Sequence, residues 1–233
     1  MTETTSNPGR GTAGQYLQWH DLAAQFNCTR TCFAAYLAME GAEVVEGVKP
    51  GNLVNLVNRD RACGLNPYRL WKDHGISLLA GTGLHGVAMI DRGDSLLLYI
   101  YREDLVARVL EKKGVGIILR RQGYTHPAML HQTLHQLGLR MRGCNFPHEV
   151  GIFLGYPLKD VLAFMGYIRL TFTRQGPWKI YGDPRSSLKL ADRFRECRCR
   201  MASRLCSTSD PITCLTARKT ADNSGQRRAG VRY

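Results

Sequence analysis

The fold is decided by the stretch Gly86-Val-Ala-Met-Ile-Asp-Arg-Gly-Asp-Ser-Leu-Leu-Leu-Tyr-Ile-Tyr101. Two apolar runs, 86–90 and 95–101, flank Asp91-Arg-Gly-Asp94, and Gly and Asp are typical of the turn between two antiparallel strands. A third short apolar run, 76–80, predicts one more strand just before this hairpin. The pattern therefore places an antiparallel sheet near the middle of the chain.

Helical patterns surround this hairpin on both sides. Apolar residues recur every three or four positions in most of the remaining segments. The predicted helices cover residues 15–39, 67–71, 103–113, 115–121, 130–141, 150–155, 157–166 and 186–205. Two further strands, 168–172 and 178–181, enclose a turn. We therefore predict an α/β fold of the α+β kind, in which a small, mixed, largely antiparallel sheet packs with several helices in a single domain with disordered tails.

The predicted domain spans residues 15–205 of the 233-residue chain, between a disordered tail (1–14) and a disordered basic tail (206–233). With 44% hydrophobic and 22% charged residues, the composition is that of an ordinary globular protein. No apolar run approaches the roughly 18 residues that span a bilayer, and the first ten residues lack the order of a secretory signal. Eight cysteines are too few for a secreted disulfide scaffold, so we expect a cytoplasmic protein without a membrane span.

The positive charge is concentrated towards the C-terminus. The formal net charge is +13, and residues 171–233 hold 14 basic against 5 acidic side chains. A cationic segment favours polyanions through counterion release, so one alternative function is a nucleic-acid-binding module that uses residues 186–233. A solvated basic helix and tail explain the same pattern, and the chain has no RNP-type aromatic strand, zinc finger or clear helix-turn-helix.

Two motifs match known signatures only in part. Gly81-Thr-Gly-Leu-His-Gly86 has the G-x-G-x-x-G spacing, but a strand follows it where a dinucleotide-binding fold needs a helix, so we interpret it as a flexible connection. His131 and His135 lie one helical turn apart and could share a metal ion, although Gln132 stands where the zinc-protease pattern has glutamate. Either histidine is equally explained as a boundary residue beside the leucine face of its helix.

The densest cluster of reactive side-chain types is Cys144-Asn-Phe-Pro-His-Glu149. Pro147 suits the first turn of a helix, where unsatisfied N–H groups stabilise a carboxylate or a nearby thiolate. His148 can then act as a proton shuttle, with Glu149 orienting it or sharing a metal ion. The weak candidate metal ligands are Cys144, His148 and Glu149. Ordinary capping by Glu149 and a core hydrogen bond by His148 explain the same residues.

Trp178-Lys-Ile-Tyr-Gly-Asp183 alternates like a strand and ends in a turn. Trp178 and Tyr181 are candidate cofactor-binding residues because their rings can stack on a planar ligand, although the sequence indicates no particular cofactor. An aromatic pair with this spacing also occurs in the core of many proteins.

Two blocks of the chain, Phe146-Pro-His-Glu-Val-Gly-Ile-Phe-Leu-Gly-Tyr-Pro-Leu-Lys-Asp-Val161 and Trp178–Asp183, resemble an uncharacterised bacterial family, domain-of-unknown-function family 3793. Gly47-Val-Lys-Pro-Gly-Asn-Leu53 and Leu97-Leu-Tyr-Ile-Tyr-Arg102 are more weakly similar to it. The resemblance covers about residues 40–200 and implies no established activity. It implies that the residues at the motif positions are the ones to test first, namely Lys49, His148, Glu149, Tyr156, Asp160, Trp178 and Tyr181.

The leading hypothesis from the sequence is a small polar site that serves a small molecule or a metal ion. His148 and Glu149 are its predicted catalytic pair, with Lys49 supplying positive charge and Tyr156 an orienting hydroxyl. The family resemblance implies a link to iron or redox metabolism.

A non-catalytic interaction module is the remaining alternative. In that interpretation the two tandem helices form a docking surface. Joint exposure of Leu158, Val161 and Phe164 would favour it, and their burial would count against it.

Overall fold

A three-stranded antiparallel sheet lies at the centre of the protein. The computed structural model describes residue 26 and residues 28–61 and 64–218. The sheet consists of β1 (Gly51–Val57), β2 (His85–Asp91) and β3 (Ser95–Tyr101), with β3 in the middle. β2 and β3 form the predicted hairpin, which is confirmed. A second, two-stranded antiparallel sheet pairs β4 (Phe172–Gln175) with β5 (Lys179–Tyr181).

Helices form most of the remaining described chain, so the predicted mixed fold class is confirmed. In chain order they are α1 (Thr29–Glu40), α2 (Ala42–Val45), α3 (Pro67–Leu70), a π-helical turn (Trp71–Gly75), α4 (Ile76–Leu79), α5 (Glu103–Leu110), α6 (Lys113–Arg121), α7 (Leu130–Met141), α8 (Val150–Phe153), α9 (Leu158–Phe164), α10 (Arg185–Ser207) and a 3₁₀ turn (Pro211–Leu215). Among the described residues, every helix is too short or too polar to cross a bilayer.

The middle strand β3 divides the hydrophobic core in two because its side chains alternate between the two faces of the sheet. Leu96, Leu98 and Ile100 belong to one cluster, and Tyr99 and Tyr101 belong to the other. All five are at most 5% exposed, so other elements cover both faces of the sheet.

The first face of the sheet is covered mainly by α1, α10 and the 3₁₀ turn. Residues 32–38 of α1 are all buried, which a helix shows where neighbours pack around it. The described part of the helix predicted over residues 15–39 is confirmed, and residues 15–25 lie outside the described chain. Met201 and Leu205 of α10 contribute to the same cluster.

The second face is covered by α5, α6, α7 and α8. Val106, Leu119, Leu137 and Phe153 supply one fully buried side chain from each of these helices. The segment 115–121 is helical, as predicted. A third, smaller cluster joins β5 to α10 through Trp178, and this junction holds the small sheet against the body of the domain.

The predicted strand over residues 76–80 is wrong, because the chain from Pro67 to Leu79 is helical throughout. The side chain of Asn66 accepts a hydrogen bond from the Arg69 amide at 3.2 Å and begins this helical segment. Leu78 is buried while Ile76 is 68% exposed. A short apolar run looks the same in a strand and in a partly buried helix, so periodicity could not separate them.

The strand β1 was not predicted beyond the turn at its start. Val54 and Leu56 are buried, while Asn55 and Val57 point outwards. Two asparagines within seven residues weaken the usual strand composition, since Asn is depleted in strands. The alternation is nevertheless present in the sequence and pairs β1 with β3 along its whole length.

The C-terminal boundary of the domain lies beyond the predicted one. Residues 206–218 were expected to begin a disordered tail, but Cys214 and Leu215 are at most 2% exposed in the first core cluster. Asp210 caps the 3₁₀ turn by accepting from the Ile212 amide at 3.0 Å. The Arg102 guanidinium donates to the carbonyl of Arg218 at 2.6 Å. The predicted tail segments 1–14 and 219–233 lie outside the described residues.

Candidate ligand-binding groove

The turn that leads into α8 sends its two candidate catalytic side chains in different directions. Pro147 opens the turn, and its carbonyl accepts a hydrogen bond from the Val150 amide. His148 is exposed, whereas Glu149 is 1% exposed. The side chain of His148 therefore faces solvent, and that of Glu149 faces the core.

Glu149 is bound to residues outside the groove. Its Oε1 atom accepts hydrogen bonds from the Tyr124 hydroxyl at 3.1 Å and from the Arg140 Nε at 2.5 Å. Burial, reinforced by the neighbouring Glu149 carboxylate, raises the pKa of Tyr124. Glu149 therefore ties α7 and the preceding segment to α8. The structure does not bring it together with His148 as the predicted catalytic pair.

His148 lies at a groove of about 350 Å³ between α8, α9 and the β4–β5 sheet. Its ring meets the Phe164 ring edge-on, with centroids 4.8 Å apart and an interplanar angle of 80°. The apolar side chains that line the groove are Phe146, Val150, Tyr156, Val161, Phe164, Pro177 and Trp178. The polar ones are His148, Asp160, Gln175 and Lys179. Phe146 and Phe164 were not predicted as site residues.

Asp160 forms the floor of the groove and is held by four donors. Its Oδ1 accepts from Lys159 Nζ at 2.8 Å and from the Tyr181 amide at 3.0 Å. Its Oδ2 accepts from the Trp178 indole at 2.9 Å and from the Ser187 hydroxyl at 2.6 Å. Burial alone would raise the pKa of Asp160, but these hydrogen bonds outweigh it and lower the pKa below its usual value. The carboxylate is therefore charged and fully used within the protein.

Trp178 is mainly a core residue, which is the alternative to cofactor binding given for this aromatic pair above. It is 7% exposed, and Tyr156 stacks on it with ring centroids 4.6 Å apart. Phe194 meets its ring edge-on at 5.9 Å. Tyr181 is half-buried and packs against Phe172 rather than lining the groove. The two predicted stacking residues thus do not form a clamp around an open space.

Lys49 lies behind Tyr156, out of contact with the groove. Its Nζ is 5.7 Å from the centroid of the Tyr156 ring and 5.4 Å from that of Phe194, and it donates to Asn52 Oδ1 at 2.6 Å. Burial lowers the pKa of Lys49 to about 8, against the opposing pull of the Glu43 carboxylate. Lys49 therefore supports Tyr156 from behind and offers no charge to a ligand in the groove.

Gly155 allows the segment around Lys49 to approach the junction of α8 and α9. Its φ angle is +72°, and a Cβ at this position would lie 2.5 Å from Cδ of Pro50. Gly155 therefore ends α8 in the left-handed conformation that glycine adopts readily, and its close approach to Pro50 explains how Lys49 and Tyr156 come together although they are distant in sequence.

The candidate metal ligands are not assembled. Cys144 is exposed and does not line the groove, and Glu149 faces the core. His131 and His135 lie at a shallow surface hollow on α7. Across the described ranges, no three His, Cys, Asp or Glu side chains are grouped to share a metal ion.

The Arg-rich section has partners within the protein. Arg198 Nε lies 2.8 Å from Oε1 of Glu43, which is buried. Three further guanidinium groups lie within 3.4 to 3.6 Å of the Glu46 carboxylate, those of Arg200, Arg204 and Arg218. These pairs neutralise buried carboxylates beside α2, so much of the basic pattern has a structural explanation.

The tandem helices expose only one of the three residues that would mark a docking surface. Phe164 is 42% exposed, Leu158 is half-buried, and Val161 is 5% exposed. Val161 packs in the second core cluster.

Comparison with known families confirms the family that the sequence resembles. The model of a family of proteins of unknown function, DUF3793, matches residues 37–215. The chain belongs to this family. The match reaches from α1 to the 3₁₀ turn after α10, so it includes every element that builds the groove. No curated protein and no solved structure matches the chain.

Proposed function

We propose that this protein binds a small planar molecule with an anionic group in the groove beside His148. The observation that carries the proposal is the exposed His148 imidazole at the mouth of an aromatic groove of about 350 Å³. A cleft of this size, with apolar walls and a few polar groups, is the usual form of a small-molecule site.

The aromatic walls favour a planar ligand. Phe146 is 50% exposed and Phe164 is 42% exposed, so both offer ring surface that the folded chain leaves in water. Covering apolar surface yields about 25 cal/mol for each Å² removed from water. Rings also prefer other rings in offset or edge-on contact, the arrangement that His148 and Phe164 already adopt.

The charges of the groove favour an anion. Among the described residues Asp160 is its one acidic lining residue, and its carboxylate is satisfied by Lys159 and three other donors. The lining side chains that can carry positive charge are His148 and Lys179, and Lys179 Nζ lies 5.3 Å from the Phe164 ring centroid. A carboxylate or phosphate on the ligand would complement these two groups.

The proposal retains the small-molecule part of the sequence-based hypothesis and changes the roles of its residues. His148 contacts the ligand, while Glu149 holds the turn and Cys144 takes no part. The link to iron or redox metabolism rests on the family resemblance alone, and no described residue cluster supports a metal site.

Isothermal titration calorimetry with 2-naphthoate and its neutral counterpart 2-naphthamide tests the proposal. We expect the wild type to bind the carboxylate about tenfold more tightly than the amide, the size expected of a charge-assisted contact. His148→Ala should reduce that preference, and the double variant H148A/K179A should remove most of it. His135→Ala, an exposed histidine on α7, is the matched control and should bind as the wild type does. Absence of naphthoate binding at millimolar concentration, or unchanged binding by His148→Ala, would contradict the proposal.

A further inference from the structure

A second cleft lies on the other side of Tyr156 and differs in chemistry from the His148 groove. It has a volume of about 310 Å³ and is bordered by α5, the start of α6, the junction of α8 and α9, and the turn at residues 47–50. Tyr156 is the one residue that lines both cavities. Nothing in the proposed function uses this second cleft.

The walls of this cleft are aliphatic. Among the described residues Tyr156 is its one aromatic lining residue, and its apolar side chains come from the turn at residues 47–50 and from four helices. Those that form most of the wall are Val48, Leu105, Val109, Val115, Ile152 and Leu158. An aliphatic chain fits such a surface better than a rigid ring, because it can follow walls built from branched side chains.

Two cations stand at the rim of this aliphatic cleft. Arg108 belongs to the last turn of α5 and Lys112 to the short link between α5 and α6, and both line the cleft. Both are exposed. Within the described residues, no carboxylate lies within ion-pair distance of either group.

Two of the nearby acidic side chains are paired at the other end of α5, and the exposed Glu111, between Arg108 and Lys112 in sequence, does not line the cleft. Asp104 pairs with Arg102 at 2.8 Å, and Glu103 lies 3.6 Å from His85. Arg108 and Lys112 therefore keep their positive charge free at the rim of an apolar cleft, where an anionic group on a ligand would complement them.

We propose that this cleft binds a medium-chain aliphatic carboxylate. The chain lies between α5 and the α8–α9 junction, and the carboxylate contacts Arg108 and Lys112. At about 30 Å³ per water-sized atom, a volume of 310 Å³ accommodates roughly ten non-hydrogen atoms, the size of octanoate. The site is independent of His148, so either site can exist without the other.

Calorimetric titration of the full chain with octanoate and with octanamide tests the site. We expect octanoate to bind more tightly than octanamide. The double variant R108A/K112A should lose roughly tenfold in octanoate affinity and leave octanamide unchanged. The matched control is R59A/R92A, which removes two exposed cations at the end of the sheet opposite the turn at residues 47–50 and should leave octanoate binding unchanged. The four positions are exposed, so the folded state is retained in both variants.

A third variant, Leu158→Trp, places bulk in the aliphatic part of the cleft and should weaken both ligands together. Three outcomes would overturn the proposal: no octanoate binding at millimolar concentration, equal loss in the two double variants, or wild-type octanoate affinity in R108A/K112A. His148→Ala separates this site from the groove, because it should leave octanoate binding unchanged whether or not it affects naphthoate.

Discussion

Asp160→Asn is the substitution whose cost follows most directly from the structure. The carboxylate accepts two donors on each oxygen, and three of the four come from Trp178, Ser187 and the Tyr181 amide. An asparagine keeps one acceptor oxygen and turns an N–H₂ group towards donors that need an acceptor. Hydrogen bonds to a charged acceptor contribute about 1.5–3 kcal/mol each, and a buried donor left without a partner costs a similar amount. Allowing the Ser187 hydroxyl to rotate, we expect a loss of about 3 kcal/mol.

Equilibrium urea unfolding followed by circular dichroism measures this loss. Asp183→Asn is the matched control, because Asp183 is 55% exposed and is paired only with the exposed Arg185. We expect the control to change the free energy of unfolding by less than about 0.5 kcal/mol. Equal stability of Asp160→Asn and the wild type would refute the hydrogen-bond arrangement described here.

The pH dependence of the same difference provides a second test. The pKa of Asp160 is below its ordinary value of 3.8 in the folded protein, so its charged form stabilises the fold above pH 3.8. This contribution is lost as the pH falls through the lower, folded-state pKa. The difference in free energy of unfolding between wild type and Asp160→Asn should therefore be constant near neutral pH and shrink below pH 3.8. A gap that widens with acid would contradict the assignment.

Three further predictions test the corrections to the sequence-based account. Leu215→Ala should lower the free energy of unfolding by about 3 kcal/mol. The control Leu139→Ala, at a half-exposed position on α7, should lower it by about 0.5 kcal/mol. Equal losses in urea unfolding would mean that the 3₁₀ turn is not packed against the core. The pKa of Lys49 is about 8 in the folded protein and 10.5 ordinarily, so the unfolded chain binds more protons between pH 8 and pH 10.5. The free energy of unfolding of the wild type should therefore rise by about 3 kcal/mol relative to Lys49→Met as the pH increases through this range. Parallel pH profiles of the two proteins would disprove this. Glu149→Gln should cost about 2 kcal/mol without changing naphthoate affinity, and its loss should be non-additive with that of Tyr124→Phe in a double-mutant cycle; additive losses would count against the contact.

The elements of the fold that could be predicted are those whose periodicity or turn chemistry is local. The hairpin around Asp91–Asp94, the helix α10 and the glycine cap at Gly155 each carry their signal within a few residues. The prediction of a strand over residues 76–80 failed because a short apolar run fits both a strand and a helix. The helical segment that Asn66 begins decides between the two. The prediction of a disordered tail failed for residues 206–218 because a short segment with few apolar side chains still packs well when Leu215 contacts the core.

The candidate site could be predicted only in part, because the exposure of a side chain depends on residues that are distant in the sequence. His148 and Glu149 are adjacent and chemically complementary, yet the fold places one at the groove and the other against Arg140. Phe164 and Lys179 reach the groove from α9 and β5, and no sequence spacing relates them to His148. Family resemblance identified Asp160 and Tyr156 as positions to test, and the geometry supplies their roles: the former organises four donors and the latter separates two cavities.

The most direct test of the central claim follows the imidazole signals of the histidines by NMR during titration with 2-naphthoate. If the groove is the binding site, the ring resonances of His148 shift and saturate, and those of His135 stay in place. Saturable binding that leaves the His148 signals unmoved would place the ligand elsewhere and contradict the claim.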